Sequence, residues 1–462
     1  MRFAPPENPD LNLPAPDRAP PEGGALFRRA FSVAKRPDSL SLRPMSEREE
    51  SQHPEAGARR VPKKFNATPF AYHAEIEVEI DTVTNLGDGL GRVDGWVVMI
   101  PNCLPGERVL ARIWHNAANF SRGDLVRVLR PSPDRVEPFC PLFGECGGCQ
   151  YQNLAYPAQL ALKTRQIGEL LAKIGGIRAE VSPCWPSPRE RGYRSKITPH
   201  FQRPRTPDEP MPIGFLHAHN ARRIVDVPAC PIATKEINAA LPAVREDAKR
   251  NRARYKNGAT LLLRHTLEGI VTDPKKVVSE RSGDLTLKFL AGDFFQNNPF
   301  ILADFTGFAV DEAAAPGIRF LVDTYCGSGL FALTAAKRFD RVLGIEVNAD
   351  AVKKATENAR LNGLANCEFH ADSAEHIFSK VPFPAAETAV IIDPPRKGCD
   401  EVFLSQLVAF GPKRLVYVSC GPDTQARDLK HLVAAGYRLL KVQPFDLFPQ
   451  TRHIENVAVL ER

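Results

Sequence analysis

The chain has 462 residues, 61 Lys+Arg against 54 Asp+Glu, a formal charge of +7 and a pI near 8.9. That length exceeds one hydrophobic core and implies two or three domains. No apolar run reaches the roughly 18 residues of a membrane span, the N-terminus lacks the apolar core of a signal peptide, and 10 cysteines are too sparse for a secreted disulfide scaffold; the chain reads as a cytoplasmic protein.

Residues 1–72 are rich in Pro, Glu, Arg and Ser without apolar periodicity. Such a composition buries too little surface to offset the entropy of ordering, so a disordered tail is expected. Within it, Leu26–Pro44 has the Arg and Ser content of an organelle transit peptide, and Met45 offers a second start. From Ala74 the pattern changes. "AEIEVEIDTV" alternates with period two, "NLGDGLGRVDG" is turn chemistry, and "WVVMIPNCLPGERVLARIW" and "DLVRVL" supply further strands. Residues 73–130 are therefore expected to form a small OB-like β-barrel.

Residues 131–284 form a central segment. It opens with "RVEPFCPLFGECGGCQYQNL", in which Cys140, Cys146 and Cys149 have the spacing C-x5-C-x2-C. Three thiolates this close suit one metal centre, and Cys230, followed by proline as Cys140 is, completes a set of four. Spacing alone leaves zinc, an iron–sulfur cluster and unmetallated thiols open. "YPAQLALKTRQIGELLAKIGG" reads as a helix with Leu160, Ile167, Leu170 and Ile174 on one face and a stop at Gly175-Gly176. Between Tyr151 and His265 there are 20 Lys+Arg and 9 Asp+Glu, a surplus of 11 positive charges that leaves the rest of the chain at −4. A basic middle in a near-neutral chain reads as a nucleic-acid-facing segment, a solvated basic face being the other reading. "GFLHAHNARRIVDV" adds Phe215, His217 and His219 for base stacking and Arg222-Arg223 for phosphates.

From residue 285 to 462 short apolar strands alternate with helices, the pattern of a doubly wound α/β sheet with ligands at the C-terminal strand ends. "LVDTYCGSGLFAL" places Gly327 and Gly329 in a turn between a strand and a helix, where the backbone can approach a ligand. The next strand ends in Glu346, suited to accept hydrogen bonds from ribose hydroxyls, and the strand "CEFHAD" ends in Asp372 at the same edge. The third glycine of the dinucleotide fingerprint is absent, which favours S-adenosylmethionine over a nicotinamide cofactor. Asp393 closes the strand of "IIDPPRKG", on a backbone stiffened by two prolines.

In "RLVYVSCGPDTQARDL" Cys420 stands at the open end of a strand. Carbon methylation of uracil is limited by the poor nucleophilicity of C5, and thiolate attack at C6 turns the ring into an enolate that activates C5. A base must then remove the C5 proton. "DLFPQTRHIENVAVL" offers His453 and Glu455, which share one face if both lie on a strand.

"VYVSCGPDTQARDL", "IIDPPRKG" and "DLFPQTRHIENVAVL", in this order, resemble the signature blocks of the RNA uridine-C5 (5-methyluridine) methyltransferases, from about Ala74 to the C-terminus. The resemblance implies a class I S-adenosylmethionine-dependent, Rossmann-like methyltransferase domain behind a TRAM barrel. It makes Cys420 the nucleophile and Glu455 the base. It places Gln296 in "DFFQNNP" at the cofactor and uridine site, with Tyr325, Glu346 and Asp393 at the cofactor. It implies a [4Fe–4S] cluster on Cys140, Cys146, Cys149 and Cys230. Barrel and cluster together point to the branch acting on 23S rRNA, in a monomeric enzyme, although some tRNA-specific members share the architecture. One departure is Gly421, where the family usually has Asn. Two other readings stand beside this one: an inactive metal-containing RNA-binding scaffold, and an N-methyltransferase using Asp393. Arg396 occupies the place of the cysteine that cytosine-C5 methyltransferases carry, which favours uridine.

Overall fold

The protein is described by a computed structural model over residues 61–206, 208–372 and 377–462. The expectations of a disordered tail up to residue 60, of a transit peptide and of a start at Met45 lie outside the described residues. Residues 61–72, grouped with the tail by composition, pack on the barrel: the Asn116 side-chain amide donates to the carbonyls of Asn66 (2.8 Å) and Phe70 (2.7 Å). Two backbone acceptors are thereby satisfied by one buried side chain, which composition could not show.

The barrel comprises β1 (Glu75–Val83), β2 (Asp88–Val93), β3 (Trp96–Pro101), β4 (Arg108–Asn116) and β5 (Phe120–Arg130), closed in the order β1-β2-β3-β5-β4. Alternate residues (Val78, Ile80, Val98, Ile100, Val109, Ala111, Ile113) fill its interior, as the period-two pattern requires. Buried Glu107 holds Arg135 at 2.5 Å, tying the barrel to the central segment.

The central segment contains α1 (Tyr156–Leu170), which runs on through one π-turn to Gly176 in the left-handed region (φ +66°). There follow β6 (Lys196–Ile197), β7 (His200–Gln202), β8 (Gly214–His217), β9 (Asn220–Asp226), α2 (Lys235–Arg250), β10 (Gly258–Thr260), β11 (Leu263–Thr266) and β12 (Gly269–Val271). They make two small sheets, β10-β7-β8-β9 and β12-β11-β6. A hairpin of β13 (Val277–Ser282) and β14 (Leu285–Leu290) leads into the C-terminal part, so residues 284 and 285 sit at the hairpin turn.

The helical face of α1 differs from expectation. Its buried side is Gln159, Leu162, Lys163, Gln166 and Ile167, while Ile174 is exposed. The apolar stripe lost because the polar side meets buried partners: Lys163 Nζ is 2.6 Å from Asp446 Oδ1, and Gln159 Nε2 donates to Gln450 Oε1 at 3.0 Å. A buried polar face is tolerated when its groups are paired.

The C-terminal part runs α3 (Leu302–Ala313), β15 (Phe320–Asp323), α4 (Leu330–Ala335), β16 (Arg341–Glu346), α5 (Ala349–Leu361), β17 (Cys367–Ala371), β18 (Thr388–Ile392), α6 (Glu401–Phe410), β19 (Arg414–Ser419), α7 (Pro422–Ala434), β20 (Arg438–Phe445) and β21 (Glu455–Glu461). The seven strands order as β17-β16-β15-β18-β19-β21-β20. The first five are parallel, and β21 is antiparallel to both its neighbours. Both faces are covered, so β18 and β19 read as near-continuous apolar runs. Asn348 and Asp400 cap α5 and α6 by accepting from Asp350 N–H and Phe403 N–H at 2.9 and 2.8 Å. This architecture brings the ends of β15, β16, β18 and β19 to one edge.

Candidate active site

At that edge β15 ends in Asp323, and the chain turns through Tyr325, Gly327 and Gly329 into α4. Gly327 (φ +52°) and Gly329 (φ +95°) hold left-handed backbone that other residues adopt only with strain. The Glu346 carboxylate ends β16 and braces this turn, accepting from Gly327 N–H at 3.2 Å and Asn348 N–H at 2.9 Å. Each carboxylate oxygen keeps acceptor capacity for a ligand hydroxyl. Asp372 follows β17, its N–H donating to the Glu346 carbonyl at 3.1 Å. Asp323 is fully buried; Oδ2 accepts from Ala332 N–H at 3.0 Å, and burial pushes its carboxyl up to about 7. Asp393, just past β18, is pushed up to about 7 by the same cause. Gln296 arrives separately, buried between β14 and α3. The next residue, Asn297, accepts from Ser195 N–H at 2.8 Å.

Cys420 follows β19. The antiparallel register pairs Ser419 with Asn456, so the next step along both strands sets Cys420 opposite Glu455. Burial pushes the Cys420 thiol up to about 12, with the charges of Glu455 and Asp393 adding to it and Arg396 opposing. Glu455 is held well above the ordinary carboxylate range, first by burial and then by Asp393, again with Arg396 opposing. His453 does not lie on the strand: β21 begins at Glu455, so strand alternation is not what aligns the two. Both nevertheless line one cavity. Burial, then the nearby arginines, lower His453 to about 4, which makes it a poor proton acceptor beside Glu455.

Gly421 has a steric reason. Its backbone (φ −123°) suits any residue, but a Cβ there would meet the Arg396 carbonyl at 2.7 Å and Thr424 Oγ1 at 2.8 Å. The loops after β18 and β19 thus close on each other, and Thr424 Oγ1 donates to the Arg396 carbonyl at 3.0 Å.

The cavity holding these groups has a volume of about 390 Å³. Cys420, Glu455, His453 and Arg396 line it together with Cys140, Cys146, Cys149 and Cys230. Burial raises the thiols of Cys146 and Cys149 to about 11 and 12 and raises that of Cys230. Around Cys230 the backbone is closed by a turn in which Ala233 N–H donates to the Cys230 carbonyl at 2.9 Å, and Cys230 N–H donates to Asn238 Oδ1 at 2.8 Å. Among the described residues no three His, Cys, Asp or Glu side chains converge on a single-ion site. The expected metal centre is therefore seen only as four thiols around one cavity. Phe215 reaches the same cavity, whereas Arg223 pairs with Glu145 at 3.5 Å, His217 is half-buried and His219 is exposed.

Sequence reasoning missed Arg396 as a charge partner, although it stands in the quoted "IIDPPRKG". It also missed Gln159, Lys163 and Gln450. Gln450 is buried with φ +70°, its N–H donates to Gln159 Oε1 at 3.0 Å, and its carbonyl accepts from Gln150 and Tyr151 N–H at 3.0 Å each. α1 and the cysteine loop thereby fix the segment that delivers Glu455. The available signal was polar residues recurring at helical spacing in α1.

The strand order, the Gly turn braced by a strand-end carboxylate, and the acidic strand ends define an S-adenosylmethionine-dependent methyltransferase. Residues 318–399 match the model of a methyltransferase domain, residues 73–126 that of the TRAM domain, and residues 384–462 that of the tRNA (Uracil-5-)-methyltransferase family. The chain is 41% identical over 419 residues to the tRNA (uracil(54)-C(5))-methyltransferase of Schizosaccharomyces pombe, covering 85% of this chain and 79% of the relative. It is 33% identical to the Saccharomyces cerevisiae enzyme of the same name, covering 85% and 74%. The crystal structure of Pyrococcus abyssi tRNA (uracil-54, C5)-methyltransferase in complex with S-adenosyl-L-homocysteine superposes with a TM-score of 0.64 at 25% identity, covering 83% of this chain and all of that one. The chain belongs to the RNA (uracil-5-)-methyltransferase family and is an RNA (uracil-C5)-methyltransferase with a TRAM domain.

Proposed function

We propose that this enzyme methylates C5 of uridine in tRNA, at the position corresponding to uridine 54, through a covalent Cys420–C6 adduct. The observation that carries the mechanism is the placement of Cys420 opposite Glu455 in one cavity beside Asp393. The tRNA substrate replaces the 23S rRNA expectation. That expectation rested on barrel plus cysteines, and both features occur here in a chain whose fungal relatives are named for tRNA uracil 54.

S-adenosylmethionine supplies an electrophilic methyl group, held at Glu346, the Gly327–Gly329 turn, Asp372, Tyr325, Gln296 and Asp393. The half-buried Cys420 thiol gives its proton to solvent and its sulfur bonds C6, while the C5=C6 electron pair moves onto the C4 carbonyl as an enolate. Arg396 is the cation near this developing charge. The pair returns through C5 to the methyl carbon, releasing S-adenosylhomocysteine. Glu455 then takes the C5 proton, the double bond re-forms and the Cys420 sulfur leaves. A carboxylate with a raised pKa is the stronger base for that last step.

The four cysteines are proposed to hold a [4Fe–4S] cluster; zinc, the alternative, would need the single-ion convergence that the described residues do not show. Four thiols from two distant stretches of chain lining one cavity are the donor set such a cluster takes. The cluster supplies rigidity to the cavity wall and no step of methyl transfer. Iron, acid-labile sulfide and zinc analysis of anaerobically purified protein separates the two, and protein with neither sinks both.

The enzyme is tested with 5-fluorouridine RNA, which has no C5 proton to lose. Wild type is expected to form a denaturant-stable adduct with a tRNA stem–loop, and Cys420→Ala none. An adduct with Cys420→Ala refutes the nucleophile. Mapping 5-methyluridine in tRNA and rRNA of cells lacking the protein decides the substrate.

A further inference from the structure

A second cavity, of about 670 Å³, lies behind the wall of the first, between α2, β10 and the segment before β13. Its lining includes Lys196, Thr198, Ala243, Asp247, Tyr255 and Thr260. The two cavities share Thr198, and nearby residues line opposite sides of the partition: Lys196 and Gly292 the second cavity, Ile197 and Phe294 the first. The partition is stitched by cations. Lys196 Nζ donates to the carbonyls of Gly292 and Asp293 at 3.3 Å each, Arg264 Nη2 to the Asp293 carbonyl at 2.9 Å, and Arg194 Nε to the Lys196 carbonyl at 3.0 Å. Arg264 is buried, and its Nε has no hydrogen-bond partner among the described residues. Phe294 is 79% exposed at this wall.

The chain around Tyr255, which lines this cavity, is basic in sequence, with Lys249, Arg250, Arg252, Arg254 and Lys256, and the Tyr255 ring is held edge-on against Phe201 at 4.8 Å. Three cations crowd one partition. Burial and the Arg264 charge lower Lys196 to about 8, with Asp293 opposing, so a phosphate there would relieve the mutual repulsion. Cationic walls with a fixed aromatic ring suit single-stranded RNA, which binds by phosphate contacts and base stacking.

We infer that the second cavity is a nucleotide subsite for the RNA strand flanking the target uridine, with the joining phosphate carried over the partition by Lys196 and its neighbouring arginines. The flanking nucleotide lies against Tyr255 while the target base occupies the cavity of Cys420. This rests on the proposed methylation of RNA at Cys420, and it gives the basic middle of the chain a specific site.

The test measures binding of a fluorescent tRNA stem–loop at several salt concentrations to wild type, Lys196→Gln and Ala243→Trp. Ala243 is exposed on α2 and lines the cavity, so tryptophan fills the groove from the helix side and replaces no residue of the partition. Ala243→Trp is expected to weaken RNA binding about tenfold. Lys196→Gln is expected to lower the log–log salt slope by about 0.7, the value for one lost single-strand phosphate contact. S-adenosylmethionine binding, read by calorimetry, stays at the wild-type value in both. Folded variants that bind RNA with wild-type affinity and slope overturn the inference. An effect confined to Lys196→Gln overturns it as well, because the lysine then only stitches the wall. The 5-fluorouridine adduct keeps the two proposals apart. Wild type forming it while both variants match wild type in binding sinks the subsite alone, whereas wild type forming none sinks the methylation mechanism.

Discussion

Replacing Glu455 by glutamine is expected to separate the two halves of the reaction. The side chain is 4% exposed and the substitution keeps its shape, so the change is confined to charge and proton affinity. The first half should survive. After burial, the Glu455 charge is the largest influence holding the Cys420 thiol up near 12, so a neutral amide eases thiolate formation and adduct entry. The second half should stall, because an amide cannot take the C5 proton. Loss of a positioned general base costs roughly 10²–10⁴ in rate, or about 2.7–5.5 kcal/mol of barrier. A methylated protein–RNA adduct should therefore accumulate. The assay is a single turnover with methyl-labelled donor and RNA tritiated at C5, followed on denaturing gels. Glu455→Gln should carry label into the adduct while tritium release slows by those two to four decades. Wild-type tritium release, or loss of methyl transfer with no adduct, would remove Glu455 from the role of base and return attention to His453 or Asp393.

Three further outcomes follow from the surrounding geometry. Lys163 and Asp446 are 2.6 Å apart with both side chains fully buried; Lys163→Met should destabilise the protein by about 3–5 kcal/mol in chemical denaturation, and Lys163→Met with Asp446→Leu should regain most of it. Wild-type stability in the single variant would mean the pair does not hold α1 to the Glu455 segment. Asp323 and Asp393 are raised by burial from 3.8 to about 7, so their protonated forms favour the fold. That stability is complete below about pH 4 and is lost as pH rises through 7. Urea midpoints should fall between about pH 4 and 7 and level off above, less steeply in Asp393→Asn, and a midpoint rising across that range contradicts the assigned burial. Gly421→Ala places a methyl 2.7 Å from the Arg396 carbonyl, an overpacking expected to cost about 1–3 kcal/mol and to slow adduct formation; unchanged stability and rate would show that the two loops yield freely.

Much of the cofactor edge was readable along the chain because its signals are local. A strand that ends in an acid, a Gly turn and the start of a helix are consecutive residues, and their backbone demands select residue types directly. The alternation of the barrel strands and the all-apolar β18 are legible for the same reason, since periodicity reports which faces are covered. The reading of α1 failed where that logic stops. Its buried face is largely polar: Gln159 and Lys163 are acceptable inside because partners almost 300 residues away complete their hydrogen bonds, and Gln166 because it donates to the Val83 and Thr84 carbonyls of the barrel.

The residues able to do the chemistry were thus set by the chain itself: a strand-end thiol, an acidic residue near the C-terminus, four cysteines and a basic middle. Their assembly was decided by the fold. Register between β19 and β21 sets Cys420 against Glu455, and packing of α1 and the cysteine loop on Gln450 closes one cavity around thiols and carboxyls far apart in sequence. Burial in that cavity raises the thiol and carboxyl pKa values, and desolvation is a property of everything surrounding a group, so no stretch of sequence contains it.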